Sequence, residues 1–131
     1  MNQAAVELRV PAQPQMMLVV RLTTAGVLAR SGLTIEAMDD VKMAAEEACN
    51  CLIRSCGCPA LNVVYRVEDG AFVLSAHAEG CGCEGCVPCE GISDDEVAVM
   101  RCVLLSMMDQ VELSFDGGCL RGLTLRKRLP R

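Results

Sequence analysis

The alternation of apolar and polar positions divides the chain into five short strands and three helices. Strands are indicated where the pattern repeats every two residues, and helices where apolar residues recur every three or four. The predicted strands span residues 6–10, 61–67, 71–78, 111–115 and 120–129. The predicted helices run from Pro14 to Gly32, from a Thr34 cap to about Cys56, and from a capping box at Ser93 to Asp109. This order, with strands in sequential pairs, predicts an α+β fold in which helices cover one face of a mostly antiparallel sheet.

The second predicted helix carries a one-sided apolar stripe. Its members are Ile35, Met38, Val41, Ala45, Ala48 and Leu52. Residues four apart lie on one face of a helix, so Glu47 and Cys51 share a face, and Glu46 and Asn50 form a second pair one position away. Because a buried stripe fixes the rotation of a helix, we expect Glu46 and Asn50 to belong to a polar face.

Length and composition indicate a single domain over residues 1–131 with an aliphatic core. Hydrophobic residues make up 52% of the chain, but only Tyr65, Phe72 and Phe115 are aromatic, and eight methionines make the core adaptable. The net charge of -5 argues against direct nucleic-acid binding. The basic residues near the C-terminus, from Arg121 to Arg131, are most simply the solvated edge of a strand.

Targeting signals are not found in the sequence. It contains no basic and apolar leader and no run of about 18 apolar residues, so we expect a cytoplasmic protein that does not enter a membrane. Its ten cysteines are then best interpreted as reduced thiols, with Cys102 and Cys119 in the core.

Residues 47–54 connect this pattern to a known family. They read Glu-Ala-Cys-Asn-Cys-Leu-Ile-Arg, which resembles the first ATP-binding helix of the anti-sigma-factor serine kinases, usually E-A-C-T-N followed by an apolar pair and a basic residue. The resemblance extends over nearly the whole chain, through VELRVPA, RLTTAGVLARSG and LLSMMDQVEL. It implies a two-layer α/β sandwich of the histidine-kinase-like ATPase (Bergerat, or GHKL) type.

The resemblance also implies an ATP and magnesium site, with Glu47 as the catalytic base. In an ungapped alignment Asn50 falls on the family's threonine and Cys51 on its magnesium-binding asparagine. Magnesium prefers hard oxygen ligands, which a cysteine does not supply. The alternative is an active kinase in which a shifted helix presents Asn50 as the metal ligand.

Two glycine boxes of the family are altered as well. The Asp-x-Gly-x-Gly box reads Ala-Glu-Gly-Cys-Gly over residues 78–82, so Gly80 and Gly82 remain while an alanine replaces the adenine-reading aspartate. The second box, beside the phosphates, reads Ala-Val-Met-Arg over residues 98–101. Together with Cys51, these changes predict weak or lost ATP binding.

A cysteine-rich loop, residues 80–92, takes the place of the family's ATP lid. Its thiols are Cys81, Cys83, Cys86 and Cys89. Soft thiolates in a glycine-rich loop suit zinc or an iron–sulfur cluster, and the alternative is a thiol-rich loop without metal, which we expect to be the most mobile segment. His77, at the end of the preceding strand, is either a fifth ligand or a partly buried polar residue.

Three functions therefore follow from the sequence. The first is a regulatory protein, similar to anti-sigma factors, that binds a sigma factor, an anti-anti-sigma (STAS) partner, or both. The second is an active ATP-dependent serine protein kinase, and the third is a thiol or metal sensor on the same fold. The resemblance further implies a homodimer formed through the sheet edge and the first helix.

Overall fold

The computed structural model describes residues 5–80, 92–116 and 118–130. It contains the predicted elements in the predicted order. The strands are β1 (Val6–Pro11), β2 (Ala60–Glu68), β3 (Ala71–Glu79), β4 (Gln110–Asp116) and β5 (Cys119–Arg128), and the helices are α1 (Met17–Leu28), α2 (Ile35–Ser55) and α3 (Asp94–Leu105). A single 3₁₀ turn, Pro14–Met16, leads into α1.

The five strands form one antiparallel sheet in the order β1-β2-β3-β5-β4. The β2–β3 hairpin turns at Asp69 and Gly70, whose φ angles of 52° and 74° are left-handed. Asp-Gly favours such a turn because glycine, and to a lesser degree aspartate, tolerates positive φ. The predicted α+β fold with a mostly antiparallel sheet is confirmed.

The hydrophobic core lies between one face of this sheet and the helices. The inward side chains of the central strands are aliphatic apart from Tyr65 and Phe72, and they include Leu61, Val63, Leu74, Ala76, Leu123 and Leu125. The opposite face carries polar pairs such as Arg9–Glu79 and Arg126–Glu68. The solvated face accounts for the alternation of buried and partly exposed residues in β2, whereas residues 72–76 of β3 are buried on both faces.

Tyr65 brings a polar group into this core. Its hydroxyl lies 2.9 Å from Thr24 Oγ1, which in turn donates to the Val20 carbonyl at 2.7 Å. Burial raises the pKa of Tyr65 to about 12, so the phenol stays protonated and the Thr24 partnership is kept. The hydrogen bonds tie α1 to β2 at a position where an unpaired hydroxyl would cost stability.

The apolar stripe of α2 packs on the sheet largely as predicted. Val41, Ala45, Ala48 and Leu52 have no exposed surface, and Ala44 and Cys49 widen the buried face. Ile35 was wrongly placed in this stripe, because its side chain is 76% exposed. It is the first helical residue, and side chains of helices lean towards the N-terminus, which takes it past the packed surface.

α3 also departs from the prediction. It ends at Leu105 rather than Asp109, because the Asp109 N–H bonds to the Arg126 carbonyl and the chain has already joined the sheet. Cys102 was expected in the core but is exposed. Within this helix only Met100 and Leu104 are buried, so the helix touches the core along one narrow line.

None of the helices in residues 5–80, 92–116 and 118–130 combines the length and apolarity of a membrane span.

The packing of α2 yields a stability prediction. Leu52→Ala removes a fully buried side chain and should lower the free energy of unfolding by about 2–5 kcal/mol. Ile35→Ala, in the same helix, should change it by less than about 0.5 kcal/mol, because Ile35 is exposed. Urea denaturation of both variants measures the difference. Equal losses would contradict the helix rotation described here.

Candidate functional site

A cleft of about 480 Å³ lies between the C-terminal part of α2 and the N-terminal part of α3. α2 contributes Glu47, Cys51, Arg54 and Ser55, and the α3 side contributes Ile92, Asp95, Glu96, Val99, Met100 and Val103. A second pocket of about 430 Å³ continues along the same two helices. The predicted residues Glu47 and Cys51 therefore line one cleft together.

Inside the cleft, Glu47, Cys51 and Arg54 form one hydrogen-bonded cluster. Glu47 Oε1 accepts from Cys51 Sγ at 3.4 Å and from Arg54 Nη2 at 3.3 Å. Arg54 Nη2 also lies 3.4 Å from Cys51 Sγ. The spacing of four and three residues along α2 brings these side chains together. The carboxylate expected to act as a base is thus engaged by a guanidinium from its own helix.

The Cys51 thiol stays protonated in this setting. Burial raises its pKa to about 12, and the neighbouring Glu47 charge adds to the rise while Arg54 opposes it. The nearby Cys49 thiol also has a pKa raised to about 12, chiefly by burial. Both sulfurs are therefore neutral thiols at neutral pH and weak nucleophiles.

Asn50 and Glu46 occupy a different place. Both line the second pocket, together with Asp40, Met43, Glu47, Val103, Ser106 and Met107. Glu46 Oε1 accepts two hydrogen bonds from the guanidinium of Arg21 on α1, one of them from Nε at 3.1 Å. The alternative acid and amide pair therefore lies outside the first cleft, and its carboxylate is bound by another helix.

The N-terminus of α3 brings negative charge to the cleft. Ser93 Oγ accepts from the Glu96 N–H at 3.1 Å, so Ser93 caps the helix as predicted, and it donates to Glu96 Oε1 at 3.1 Å. Asp94, Asp95 and Glu96 all stand in the first turn. A helix N-terminus attracts anions, but here the helix's own carboxylates already take that position.

Residues 98–101, at the place of the family's second glycine box, are regular helix. Met100 packs into the core, whereas Val99 is 64% exposed and lines the cleft. A backbone in α-helical hydrogen bonding has no free N–H groups in its interior to offer to a phosphate. This segment therefore presents an apolar side chain to the cleft rather than main-chain donors.

Gly80 has a structural requirement of its own. Its φ is +79°, and a Cβ on it would lie 2.5 Å from Pro59 Cγ, so a larger residue would clash at this turn. Gly82 and the predicted thiol ligands Cys81, Cys83, Cys86 and Cys89 lie outside the described residues. Among residues that are described, no three His, Cys, Asp or Glu side chains are grouped to hold a metal ion.

His77 proves to be exposed rather than partly buried. It pairs in register with Gly122 on β5, and a Cβ at Gly122 would come within 2.6 Å of His77 Nδ1. The glycine therefore leaves room for the imidazole. Further along, Arg121 Nη1 donates to Cys56 Sγ at 3.0 Å, and Cys58 and Cys119 are buried.

Two features of this site were not predicted from the sequence. Arg54 was predicted only as part of the family motif. It follows Glu47 by seven residues and Cys51 by three, a spacing that places all three side chains on one face of a helix. Asp95 and Glu96 were assigned to a helix cap, and nothing in their local pattern indicated that the capped turn faces α2. That placement depends on how α3 is packed in the folded chain.

Comparisons with known proteins agree with the resemblance in sequence. No protein-family profile matches the chain. The serine-protein kinase RsbW of Halalkalibacterium halodurans is 26% identical over 133 aligned positions, covering 91% of this chain and 81% of that protein. RsbW of Bacillus subtilis is 44% identical over 71 residues, and RsbW of Bacillus pumilus is 41% identical over 65. These two alignments cover 54% and 50% of this chain but only 44% and 35% of the relatives' own lengths.

The alignments and the fold support the same conclusion. The antiparallel five-stranded sheet with three helices fits the α/β sandwich expected of histidine-kinase-like ATPases. Several independent relatives carry the same name, and one of them aligns along nearly the whole chain. The chain is therefore similar to the RsbW serine-protein kinases, along nearly its whole length in the case of the H. halodurans protein.

Proposed function

We propose that this chain is a regulatory binding protein of the anti-sigma-factor type whose ATP binding is weak or lost. It binds a sigma factor, an anti-anti-sigma protein of the STAS class, or both, through protein surfaces. The relationship to RsbW supports the class of partner. The main support for weak ATP binding is the Glu47–Cys51–Arg54 cluster. It contains a carboxylate, a thiol and a guanidinium where the family has a carboxylate and an amide.

The chemistry of the cleft supports weak binding of magnesium–ATP. Cys51 carries no hard oxygen for magnesium, and its raised pKa keeps the sulfur protonated. Asp95 and Glu96 face the space that a triphosphate would share, where they repel it. Glu47 must also release Arg54 before it accepts a proton from a substrate.

The rival function is an active serine protein kinase. Its support is the alignment with the H. halodurans kinase over 91% of this chain. In that case Glu47 acts as the base, and Asn50 must replace the missing metal ligand. Asn50 lines the second pocket instead, so this function requires α2 to rotate against a buried apolar face.

The third function, a thiol or metal sensor, depends on Cys81, Cys83, Cys86 and Cys89. Zinc or an iron–sulfur cluster at this loop stays a prediction. Elemental analysis and the visible absorption spectrum of protein purified without oxygen decide between a metal-bound and a metal-free loop.

ATP binding gives a direct prediction. Millimolar magnesium–ATP should leave the melting temperature unchanged, whereas a ligand at a hundredfold excess over its dissociation constant stabilises by about 2.7 kcal/mol. Cys51→Asn restores an amide beside Glu47 and should produce a magnesium-dependent rise. Asn50→Ala is the matched control, one position away in the same helix, and should behave as the wild-type protein. An ATP-induced rise in the wild type that Asn50→Ala abolishes would establish the shifted kinase instead.

Partner binding is predicted to be independent of nucleotide. The chain should form a stable complex with a sigma factor or STAS protein of its source organism in size-exclusion chromatography, with the same elution with and without magnesium–ATP. Incubation with radiolabelled ATP should transfer no phosphate to the STAS protein. Phosphate transfer, or a complex that forms only with ATP, would refute the proposal.

A homodimer through β1 and α1 is part of the proposal. Val6 on the free edge of the sheet and Leu18, Val19 and Leu22 on α1 are exposed, which is a large apolar area for a monomer. Leu18→Lys combined with Leu22→Lys should convert the dimer to a monomer in sedimentation equilibrium. Leu105→Lys, an exposed leucine on α3, is the control and should leave the dimer intact. A wild-type monomer at all concentrations would exclude this interface.

A further inference from the structure

The two pockets between α2 and α3 adjoin, and we call them together the α2–α3 groove. Glu47 and Val103 line both of them. The first pocket joins the end of α2 to the start of α3, and the second joins the middle of α2 to the end of α3, so the helices run antiparallel. From Asp40 to Arg54 the groove follows α2 for about 21 Å, or four helical turns.

The walls of the groove are apolar and exposed. Met43 is 56% exposed, Val99 64% and Val103 41%, and Met100 and Met107 lie buried between them. Val99 and Val103 are four residues apart and therefore form a stripe along α3. Such large apolar side chains at a surface mark an interaction site when they line a groove rather than standing singly. The methionines allow the floor to adapt to different side chains.

The rim of the groove is acidic. Asp40, Glu46, Glu47, Asp95 and Glu96 line it, against a single guanidinium from Arg54. Arg21 neutralises Glu46 from outside, and Arg54 is already paired with Glu47. Asp40 at one end and Asp95 with Glu96 at the other therefore leave negative charge at both ends. A ligand for this groove needs an apolar centre and basic flanks.

We propose that the α2–α3 groove is a docking site for a basic amphipathic helix of a partner protein. Its apolar residues, spaced three and four apart, would contact Met43, Val99 and Val103, and its lysines or arginines would pair with Asp40 and Asp95. Helix-in-groove recognition uses this combination of an apolar stripe and a charged rim. The inference rests on the proposed function, since a nucleotide in the first pocket would compete for the same space.

Charge distinguishes this occupant from the alternatives. A nucleotide is anionic, so the acidic rim would repel it. A second copy of this chain offers α1 as its exposed apolar helix, but α1 contains only one basic residue, Arg21, which is bound to Glu46. Metal ions find no group of three suitable side chains in the described residues. A basic helix satisfies both the apolar walls and the acidic ends.

The test uses a synthetic, fluorescently labelled peptide of about 18 residues, with leucines on one helical face and lysines beside them. The control peptide has every lysine replaced by glutamate. Fluorescence anisotropy with the full chain should show saturable binding of the basic peptide and at least tenfold weaker binding of the acidic one. Equal binding of both peptides, or no binding of either, would overturn the proposal.

Matched variants locate the site. Val99→Ser with Val103→Ser should weaken binding of the basic peptide by about tenfold, as loss of central apolar contacts does at interfaces. Ile35→Ser, an exposed residue at the start of α2 that lines neither pocket, should change it less than about twofold. Asp40→Asn with Asp95→Asn should weaken it about fivefold at low salt and much less at 0.5 M salt, where charges are screened. Glu112→Gln on β4 is the charge control. Equal losses in the controls would place binding elsewhere.

The same samples separate this inference from the proposed function. Thermal melts with magnesium–ATP report on nucleotide binding, and anisotropy reports on the groove. A chain that binds neither ATP nor the basic peptide keeps its proposed function but has no docking groove of this kind. A chain stabilised by ATP refutes the proposed function, whatever the peptide does. Sedimentation equilibrium of the Val99 and Val103 variant completes the test, because loss of a dimer would assign the groove to a second copy and overturn the proposal.

Discussion

The packing of α2 on the sheet is the constraint on which the rest of the structure depends. Ala44, Ala45 and Ala48 carry small side chains, so the helix approaches the strands closely while Val41 and Leu52 anchor its ends. A slip of one residue would turn the helix by about 100° and bring Glu46 or Asn50 into the core. Burying such a group without a partner costs several kcal/mol, far more than any gain at the surface. Packing in the core therefore sets the rotation of α2, independently of the residues in the cleft.

The site chemistry follows from that rotation. With the alanine face inward, Glu47, Cys51 and Arg54 point together towards α3, and Asn50 belongs to the neighbouring pocket. Arg54 then has a carboxylate of its own helix within reach, and the thiol between them is held neutral by burial. On the facing helix, the carboxylates of the first turn suit the helix dipole. Each helix is thus stabilised by charged side chains that also line the cleft.

The sequence predicted much of this fold because most of it is encoded locally. Period-two strands, the Asp69–Gly70 turn and the Ser93 helix cap each depend on neighbours in the chain, and each is present. Predictions failed where burial depends on distant packing. Ile35 and Cys102 are apolar in type and fit a helical period, yet one lies beyond the packed surface and the other faces away from the line through Met100 and Leu104.

The candidate site shows the same division. The pairing of Glu47 with Cys51 follows from helix geometry and was predicted from sequence. The groove between α2 and α3 was not, because its walls come from segments about 50 residues apart and their distance is set by the whole core. The acidic character of the rim was visible only as a cap motif, since a local pattern does not say which element a capped turn will face.

The proposed loss of nucleotide binding has a consequence for regulation. A kinase that phosphorylates its antagonist changes the antagonist's affinity with free energy supplied by ATP. Without phosphoryl transfer, release depends on differences in affinity alone, because a ligand shifts an equilibrium only by its preference for one state. Moving a partner from almost fully bound to almost fully free requires a difference in binding free energy of about 5.5 kcal/mol. Two partners that compete for overlapping apolar and acidic surfaces supply such a difference through their concentrations and affinities. The exposed faces of α1 and of the α2–α3 groove are close enough in the fold for this competition, since Arg21 of α1 already reaches Glu46 on the groove's rim.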